Sequence, residues 1–147
     1  MLELIKEIRE QTGAGVVDVK KALDDASGDK DKALEILRKQ GLKKADKKAD
    51  RIAGEGVVVA YVHADGKSGA MVKLLCETDF VARNDEFKAL ANDIAMHIVA
   101  MSPTDVEDLY SQAFVKNPEV TVEELVKDKI ATIGENIKVE SFVKVAI

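Results

Sequence analysis

Residues 56–77 read GVVVAYVHADGKSGAMVKLLCE, and this stretch decides the fold class. Two runs rich in β-branched and aliphatic residues, Gly56–Val62 and Gly69–Glu77, lie on either side of Asp65-Gly66. An Asp-Gly dipeptide between two such runs is typical of a β-hairpin. The first run is apolar on both faces of the predicted strand: Val57, Val59 and Tyr61 on one, Val58, Ala60 and Val62 on the other. Both faces therefore need to be covered.

Three short helical patterns precede the hairpin. Apolar residues recur at helical spacing through residues 1–41. The pattern is interrupted at three places: Thr12–Gly15, Ser27-Gly28 and Gly41. Asp29 is suited to cap the third helix, which is expected to end at Gly41. Because helices this short need to pack on one another, we predict a three-helix module.

Residues 42–55 connect this module to the hairpin. Within them, Lys43–Arg51 alternates charged residues with alanines that favour helix, and it has few large apolar side chains. We interpret the segment as a basic helical linker whose surface is solvated. The alternative is a basic patch that binds RNA or an acidic partner.

A long amphipathic helix is predicted after the hairpin. Its apolar stripe consists of Phe87, Leu90, Ile94, Ile98 and Met101. Ser102-Pro103 ends it, and a polar stretch then extends to Pro118. Thr121–Glu124 fits a capping box that begins another helix, and Ile137–Ala146 is predicted to be a final strand.

The predicted fold class is α+β, with three parts along the chain. Residues 1–41 form the three-helix module, and residues 42–55 form the basic helical linker. Residues 56–147 form a core in which helices pack on a three-stranded antiparallel sheet.

Composition excludes several classes of function. The net charge of −5 and an aromatic content of 4% oppose direct nucleic-acid binding. The single cysteine, Cys76, excludes an intramolecular disulfide and a multi-cysteine metal site. Met1–Lys6 is too charged for a signal peptide, and no apolar run approaches the roughly 20 residues that span a bilayer. We expect a cytoplasmic protein without a membrane partner.

Catalytic chemistry is not indicated either. Gly13 and Gly15 lack the Lys-Ser/Thr of a phosphate-binding loop. A Cys76–His63 nucleophile pair fails because about eight strand residues would separate the two side chains by roughly 25 Å. The acidic cluster near Glu77 suits helix starts better than a metal site. We expect no catalytic residue, no bound metal and no cofactor.

Four stretches together resemble one family. They are Thr12–Leu23 (TGAGVVDVKKAL), Cys76–Asn84 (CETDFVARN), Ile94–His97 (IAMH) and Ile133–Ile137 (IGENI). In this order they are similar to the signatures of the elongation factor Ts family. The resemblance implies a ubiquitin-associated type of three-helix module, a core with a three-stranded antiparallel sheet, and guanine-nucleotide exchange on elongation factor Tu.

The resemblance also implies the residues that bind elongation factor Tu: Val16, Val17, Lys20, His63, Thr78, Asp79, Phe80, Val81, Ile133 and Gly134. Asp79 and Phe80 match a pair that wedges between helices of the partner's nucleotide-binding domain and disturbs its magnesium site. A core position is the other interpretation of Phe80, and the motif favours an exposed interface anchor. Val16 and Val17 lie about 100° apart on a helix, so one can pack inward while the other stays exposed.

The chain departs from the family in one respect. A helical hairpin common in the family is absent, and only the polar stretch 103–120 occupies its place. The uncovered sheet face predicts a homodimer joined through the core sheet, as short family members form. The alternative is a monomer in which the helix around Leu125–Ile130 covers that face. A peptide-binding adaptor built on residues 1–41 is a further rival, although it leaves Asp79-Phe80 without a role.

Overall fold

The computed structural model describes all residues from Met1 to Ile147. It has seven helices and five strands and confirms the α+β class. The helices are α1 (Leu2–Thr12), α2 (Val16–Asp25), α3 (Lys30–Asp46), α4 (Asp79–Ala82), α5 (Asp85–Met101), α6 (Val106–Ser111) and α7 (Val122–Ile133). The strands are β1 (Glu55–Val62), β2 (Ser68–Cys76), β3 (Ala113–Phe114), β4 (Asn117–Thr121) and β5 (Lys138–Ala146).

The first three helices pack around a small core of their own. Ile5 and Ile8 of α1 contribute to it, together with Val19 and Leu23 of α2. Asp29 caps α3 as predicted, since its carboxylate accepts a hydrogen bond from the Lys32 N–H at 3.1 Å. The N-terminal helices thus bury apolar side chains against one another, which short helices need for stability.

The predicted end of the third helix at Gly41 is wrong, because α3 continues to Asp46. Gly41 lies against Ala131 of α7, and packing between the two helices offsets the roughly 1 kcal/mol by which glycine disfavours a helix. The segment predicted as a helical linker is helical only up to Asp46, and residues 47–54 form turns and irregular backbone. Ala45 is buried in the larger core, so α3 contributes to both parts of the chain.

The three long strands form the predicted antiparallel sheet, and their order in it is β1-β2-β5. One face packs on α5, whose Phe87, Leu90, Ile94 and Ile98 are buried. Met101, expected on the same stripe, is exposed at the last position of the helix. The core therefore lies between the sheet and α5.

The other face of the sheet is uncovered. Its apolar side chains, all exposed, are Val58, Ala60, Val62, Met71, Val143 and Val145. We call them the open sheet face. The helix α7, which was an alternative cover for this face, packs instead along α3 with Val126 and Ile130 buried in the core. The arrangement in which α7 covers the sheet is therefore wrong.

Residues 103–120 were expected to be a polar stretch, but α6 and the small β3–β4 hairpin lie there. Leu109 and Phe114 from this segment are buried in the core. The capping box of α7 is confirmed, because the Thr121 side chain and the Glu124 side chain each accept a hydrogen bond from the other's backbone N–H. Every helix is too short or too polar to cross a lipid bilayer.

Candidate functional site

The short helix α4 lies directly after the central strand of the sheet. Thr78 is its N-cap, and the Thr78 side-chain oxygen accepts a hydrogen bond from the Val81 N–H at 3.3 Å. Threonine is among the residues that favour this position because its oxygen satisfies a free N–H of the first turn. On the inward side of this turn Ala82 is buried. The cap and Ala82 fix one turn of helix at the surface.

Phe80 projects from this turn into solvent. Its side chain is 90% exposed, which confirms the exposed position predicted for it. Asp79 beside it is paired with Arg83 at 2.7 Å, and both side chains are largely exposed. A large aromatic side chain with almost no intramolecular packing has the properties of an interface anchor.

Glu135 holds the start of this turn. Its carboxylate accepts hydrogen bonds from the N–H of Glu77 at 3.1 Å, the N–H of Thr78 at 2.9 Å and the hydroxyl of Thr78 at 2.7 Å. We call these three bonds the Glu135 clamp. Sequence reasoning did not assign Glu135 a role, although the residue lies within the Ile133–Ile137 motif that it singled out.

The chain reaches Glu135 by a sharp turn at the end of α7. Gly134 adopts the left-handed conformation with φ of 89°, which suits glycine at a helix C-terminus. Ile133 is half-buried and Gly134 is exposed. The structure thus brings Ile133 and Gly134 into the neighbourhood of Thr78–Val81, the two segments being joined by the Glu135 clamp.

Asn136 is a second residue that sequence reasoning missed. Its buried side-chain amide donates hydrogen bonds to the carbonyl oxygens of Ala49 at 3.3 Å and Arg51 at 2.8 Å. Buried amides of this kind are normally paired, and here the partners are on a distant segment. Asn136 therefore fastens residues 49–51 to the core beside the site.

The N-terminal residues predicted to bind elongation factor Tu lie on a different part of the surface. Val17 is 78% exposed, and Lys20 is also exposed. Val16 is less exposed than Val17, at 39%, but it does not pack into the core. Val16 is the first residue of α2, and the inward positions are taken by Val19 and Leu23 in the following turns.

His63 follows β1 and is exposed, with its Nδ1 atom 3.2 Å from the hydroxyl of Tyr61. It lies at the opposite end of the hairpin from Thr78, since β1 begins where β2 ends. An eight-residue strand at about 3.3 Å per residue places the two ends roughly 25 Å apart. A single chain therefore does not bring His63 and Phe80 together.

The basic stretch Lys43–Arg51 does not form a continuous positive patch. Lys44 is paired with Asp18 at 3.1 Å, and Arg51 is paired with Glu77 at 3.8 Å. Asp46 within the same stretch binds Lys127 at 3.0 Å. These pairs place negative charge beside the lysines and weaken the case for RNA binding. No group of three or more His, Cys, Asp or Glu side chains is placed to hold a metal ion.

Cys76 is buried at the end of β2, and its thiol donates a hydrogen bond to the carbonyl oxygen of Thr78 at 3.2 Å. Burial, and secondarily the negative charge of Glu135, raises the pKa of the thiol from 9.0 to about 11. A raised pKa means that folding favours the neutral thiol. The resulting stability is present below pH 9.0 and is lost as the pH rises through about 11.

Cys76 is accordingly expected to resist thiol reagents in the folded protein. At pH 8 the thiolate would be about one part in a thousand for a pKa near 11, and burial blocks access as well. We expect iodoacetamide to label the folded chain at least about 100-fold more slowly than the chain unfolded in urea. Mass spectrometry of the labelled fraction measures both rates, and equal rates would show that Cys76 is accessible.

The sequence of this chain is similar to those of known proteins. A family model described as "Elongation factor TS" matches residues 77–147. Elongation factor Ts of Carboxydothermus hydrogenoformans is 43% identical over 187 aligned positions, covering 97% of this chain and 86% of the relative. Elongation factor Ts of Thermosipho melanesiensis is also 43% identical, with 99% of this chain and 97% of the relative covered.

The chain belongs to the elongation factor Ts family. It is therefore, by family, a translation elongation factor. Elongation factor Ts proteins differ in length: that of Clostridium botulinum is 48% identical over 97% of this chain, which spans 46% of the relative.

The 187 positions aligned with the Carboxydothermus elongation factor Ts exceed the 147 residues of this chain, so at least 40 of them have no counterpart here. In this chain, residues 103–121 form only α6 and the β3–β4 hairpin. The family's helical hairpin, predicted to be absent from this segment, does not occur in it.

Proposed function

We propose that this protein is a guanine-nucleotide exchange factor for elongation factor Tu, and that it acts by binding, without catalysing a reaction itself. The observation that carries the proposal is the position of Phe80, which is 90% exposed on a turn fixed by the Thr78 cap and the Glu135 clamp. Such a side chain favours an interface role because its apolar surface is removed from water only when a partner binds. Family membership supplies the identity of the partner.

In the proposed mechanism Phe80 inserts between helices of the partner's nucleotide-binding domain. Asp79 lies next to Phe80, and the inserted pair disturbs the groups that hold magnesium and the phosphates of GDP. By thermodynamic linkage, a protein that binds the nucleotide-free partner more tightly must weaken nucleotide binding by the same factor. No bond is made or broken by this chain, and the exchange takes place in the cytoplasm during translation elongation.

The proposal is tested by loading elongation factor Tu with fluorescent GDP and following its release in excess unlabelled GDP. Catalytic amounts of this chain are expected to accelerate release, whereas the chain alone is expected to leave GTP and GDP unhydrolysed. A release rate that does not depend on the concentration of this chain would refute the exchange function. Binding without acceleration would leave a partner-binding role and exclude exchange.

The N-terminal helices supply a second contact in this proposal. Val16, Val17 and Lys20 lie together on the exposed side of α2, with Val17 78% exposed. The protein then binds elongation factor Tu through two regions, one on α2 and one on α4.

The change Val17→Asp is expected to weaken binding to elongation factor Tu about tenfold, because it places a charge in an apolar contact. Since Val17 is exposed, thermal stability should be nearly unchanged. Isothermal titration calorimetry measures the affinity, and Val17→Leu is the matched variant that keeps the site apolar. Equal affinities for the Asp variant and the wild type would exclude Val17 from the interface.

We further propose a homodimer formed through the open sheet face. Six apolar side chains are exposed there on three neighbouring strands, and a two-fold contact would remove them from water. The dimer would also let His63 of one subunit contact the elongation factor Tu molecule that is bound by Phe80 of the other.

A further inference from the structure

We propose that Glu135 is a positioning residue that fixes the direction of Phe80. The end of α7 thereby controls how Phe80 inserts between the helices of elongation factor Tu. This inference rests on the proposed exchange function, since it concerns how Phe80 is oriented before elongation factor Tu binds. Glu135 acts through Thr78 and does not itself need to touch elongation factor Tu.

The Glu135 clamp uses both carboxylate oxygens. Oε1 accepts from the two consecutive N–H groups of Glu77 and Thr78, and Oε2 accepts from the hydroxyl of Thr78. A hydroxyl has one proton to donate and two lone pairs to accept with. Because that proton is directed to Glu135, the lone pairs of the Thr78 oxygen are left to accept from the Val81 N–H, and this bond caps α4. The carboxylate therefore selects the orientation in which Thr78 can act as a cap.

The helix α4 depends on this support. It has only four residues, and a helix of that length is unstable without external contacts. Phe80 makes almost no packing contact of its own, since 90% of its side chain is exposed. Its direction is thus set by the backbone of α4. A binding group on a poorly supported element loses effectiveness when it is misplaced by about 1 Å.

The backbone at Glu135 is fixed by the residues before and after it in the chain. Before it, Gly134 makes the left-handed turn that ends α7. After it, the buried Asn136 is bonded to the carbonyl oxygens of Ala49 and Arg51. The carboxylate is therefore presented from a fixed backbone, which lowers the entropy cost of ordering the turn it binds.

The test compares Glu135→Ala with Glu135→Gln in the full chain. The alanine variant removes all three acceptor contacts and is expected to slow GDP release about tenfold or more, the effect of losing a charge-assisted hydrogen-bond set. Glutamine keeps its carbonyl oxygen for the two backbone N–H groups. Its amide N–H can donate to one lone pair of the Thr78 oxygen, which leaves the other lone pair for the Val81 N–H. It is expected to restore most of the lost rate. Glu119→Ala removes an exposed carboxylate from β4 and is the matched control.

A second readout follows the turn without the partner. Hydrogen exchange of the Glu77 and Thr78 amides is expected to accelerate in Glu135→Ala and to stay slow in Glu135→Gln, because these two N–H groups are the ones bound by the carboxylate. If the wild type does not accelerate GDP release at all, the exchange function fails, and the amide measurement still decides whether Glu135 orders the turn.

A double-mutant cycle distinguishes positioning from a general structural role. If Glu135 acts through Phe80, Glu135→Ala should have little further effect on GDP release in a Phe80→Ala background. Additive losses in the cycle would overturn the proposal, as would a Glu135→Ala release rate within twofold of the wild type. Should Glu135→Ala fail to fold, Thr78→Ser and Thr78→Ala make the same comparison from the other side of the bond. An equal loss of GDP release rate in Thr78→Ser and Thr78→Ala would also overturn the proposal.

Discussion

Replacing Phe80 with alanine is expected to slow GDP release from elongation factor Tu by about 30-fold or more. This corresponds to the loss of about 2 kcal/mol, the size of a hot-spot contribution from a large aromatic side chain. The melting temperature should change little, because the side chain is 90% exposed and fills no part of the core. Stopped-flow release of fluorescent GDP and a thermal melt of the same sample measure both quantities.

The control for this variant is Leu2→Ala, which shortens another large exposed apolar side chain, 81% exposed, at the start of α1. It is expected to release GDP at the wild-type rate. A normal rate for Phe80→Ala would exclude the wedge role. A large fall in its melting temperature would instead mean that Phe80 contributes to stability.

Placing a charge in the centre of the open sheet face is expected to convert the proposed dimer into a monomer. Met71 lies on the central strand β2, opposite Ala60 of β1 and Val143 of β5. The change Met71→Lys would leave a buried, unpaired ammonium group in a sheet-on-sheet contact, which costs several kcal/mol. Because Met71 is 48% exposed in the single chain, the fold should survive the substitution.

Sedimentation equilibrium is the measurement that checks this prediction. The wild type is expected to sediment at twice the 16.0 kDa of one chain, and the variant at that of one chain. Ala89→Lys adds the same charge at an exposed position of α5 and is expected to leave the dimer intact. A wild-type mass of one chain at all concentrations would refute the dimer.

The elements that were predictable from sequence are those determined by neighbouring residues. The hairpin at Asp65-Gly66 and the capping box at Thr121–Glu124 depend on contacts within a few positions, and both are in the structure. The extension of α3 past Gly41 depends on α7, about 80 residues later in the chain, so local propensity could not predict it. The segment 103–121 was missed because isolated buried residues such as Leu109 leave no periodic pattern.

The same distinction applies to the candidate site. The exposure of Phe80 followed from its motif and its position after a strand, both of which are visible in the sequence. The Glu135 clamp joins residues that are 57 and 58 positions apart. The local sequence around Thr78 or around Glu135 does not indicate this contact. The exposure of Val16 depends on where α2 begins, and helix ends are the least predictable part of an element.

The continuity of α3 has a consequence for the two contact regions proposed on α2 and α4. This helix of 17 residues spans about 25 Å, and the ion pairs Arg38–Glu124 and Asp46–Lys127 tie it to α7. With α2 packed on one end and the core on the other, binding through one region presents the second at a set separation, and hence at a high effective concentration. A protein whose surfaces are spaced differently gains nothing from the second region. In the proposed two-region contact, the length of α3 therefore makes specificity depend on the distance between the two binding surfaces as well as on their chemistry.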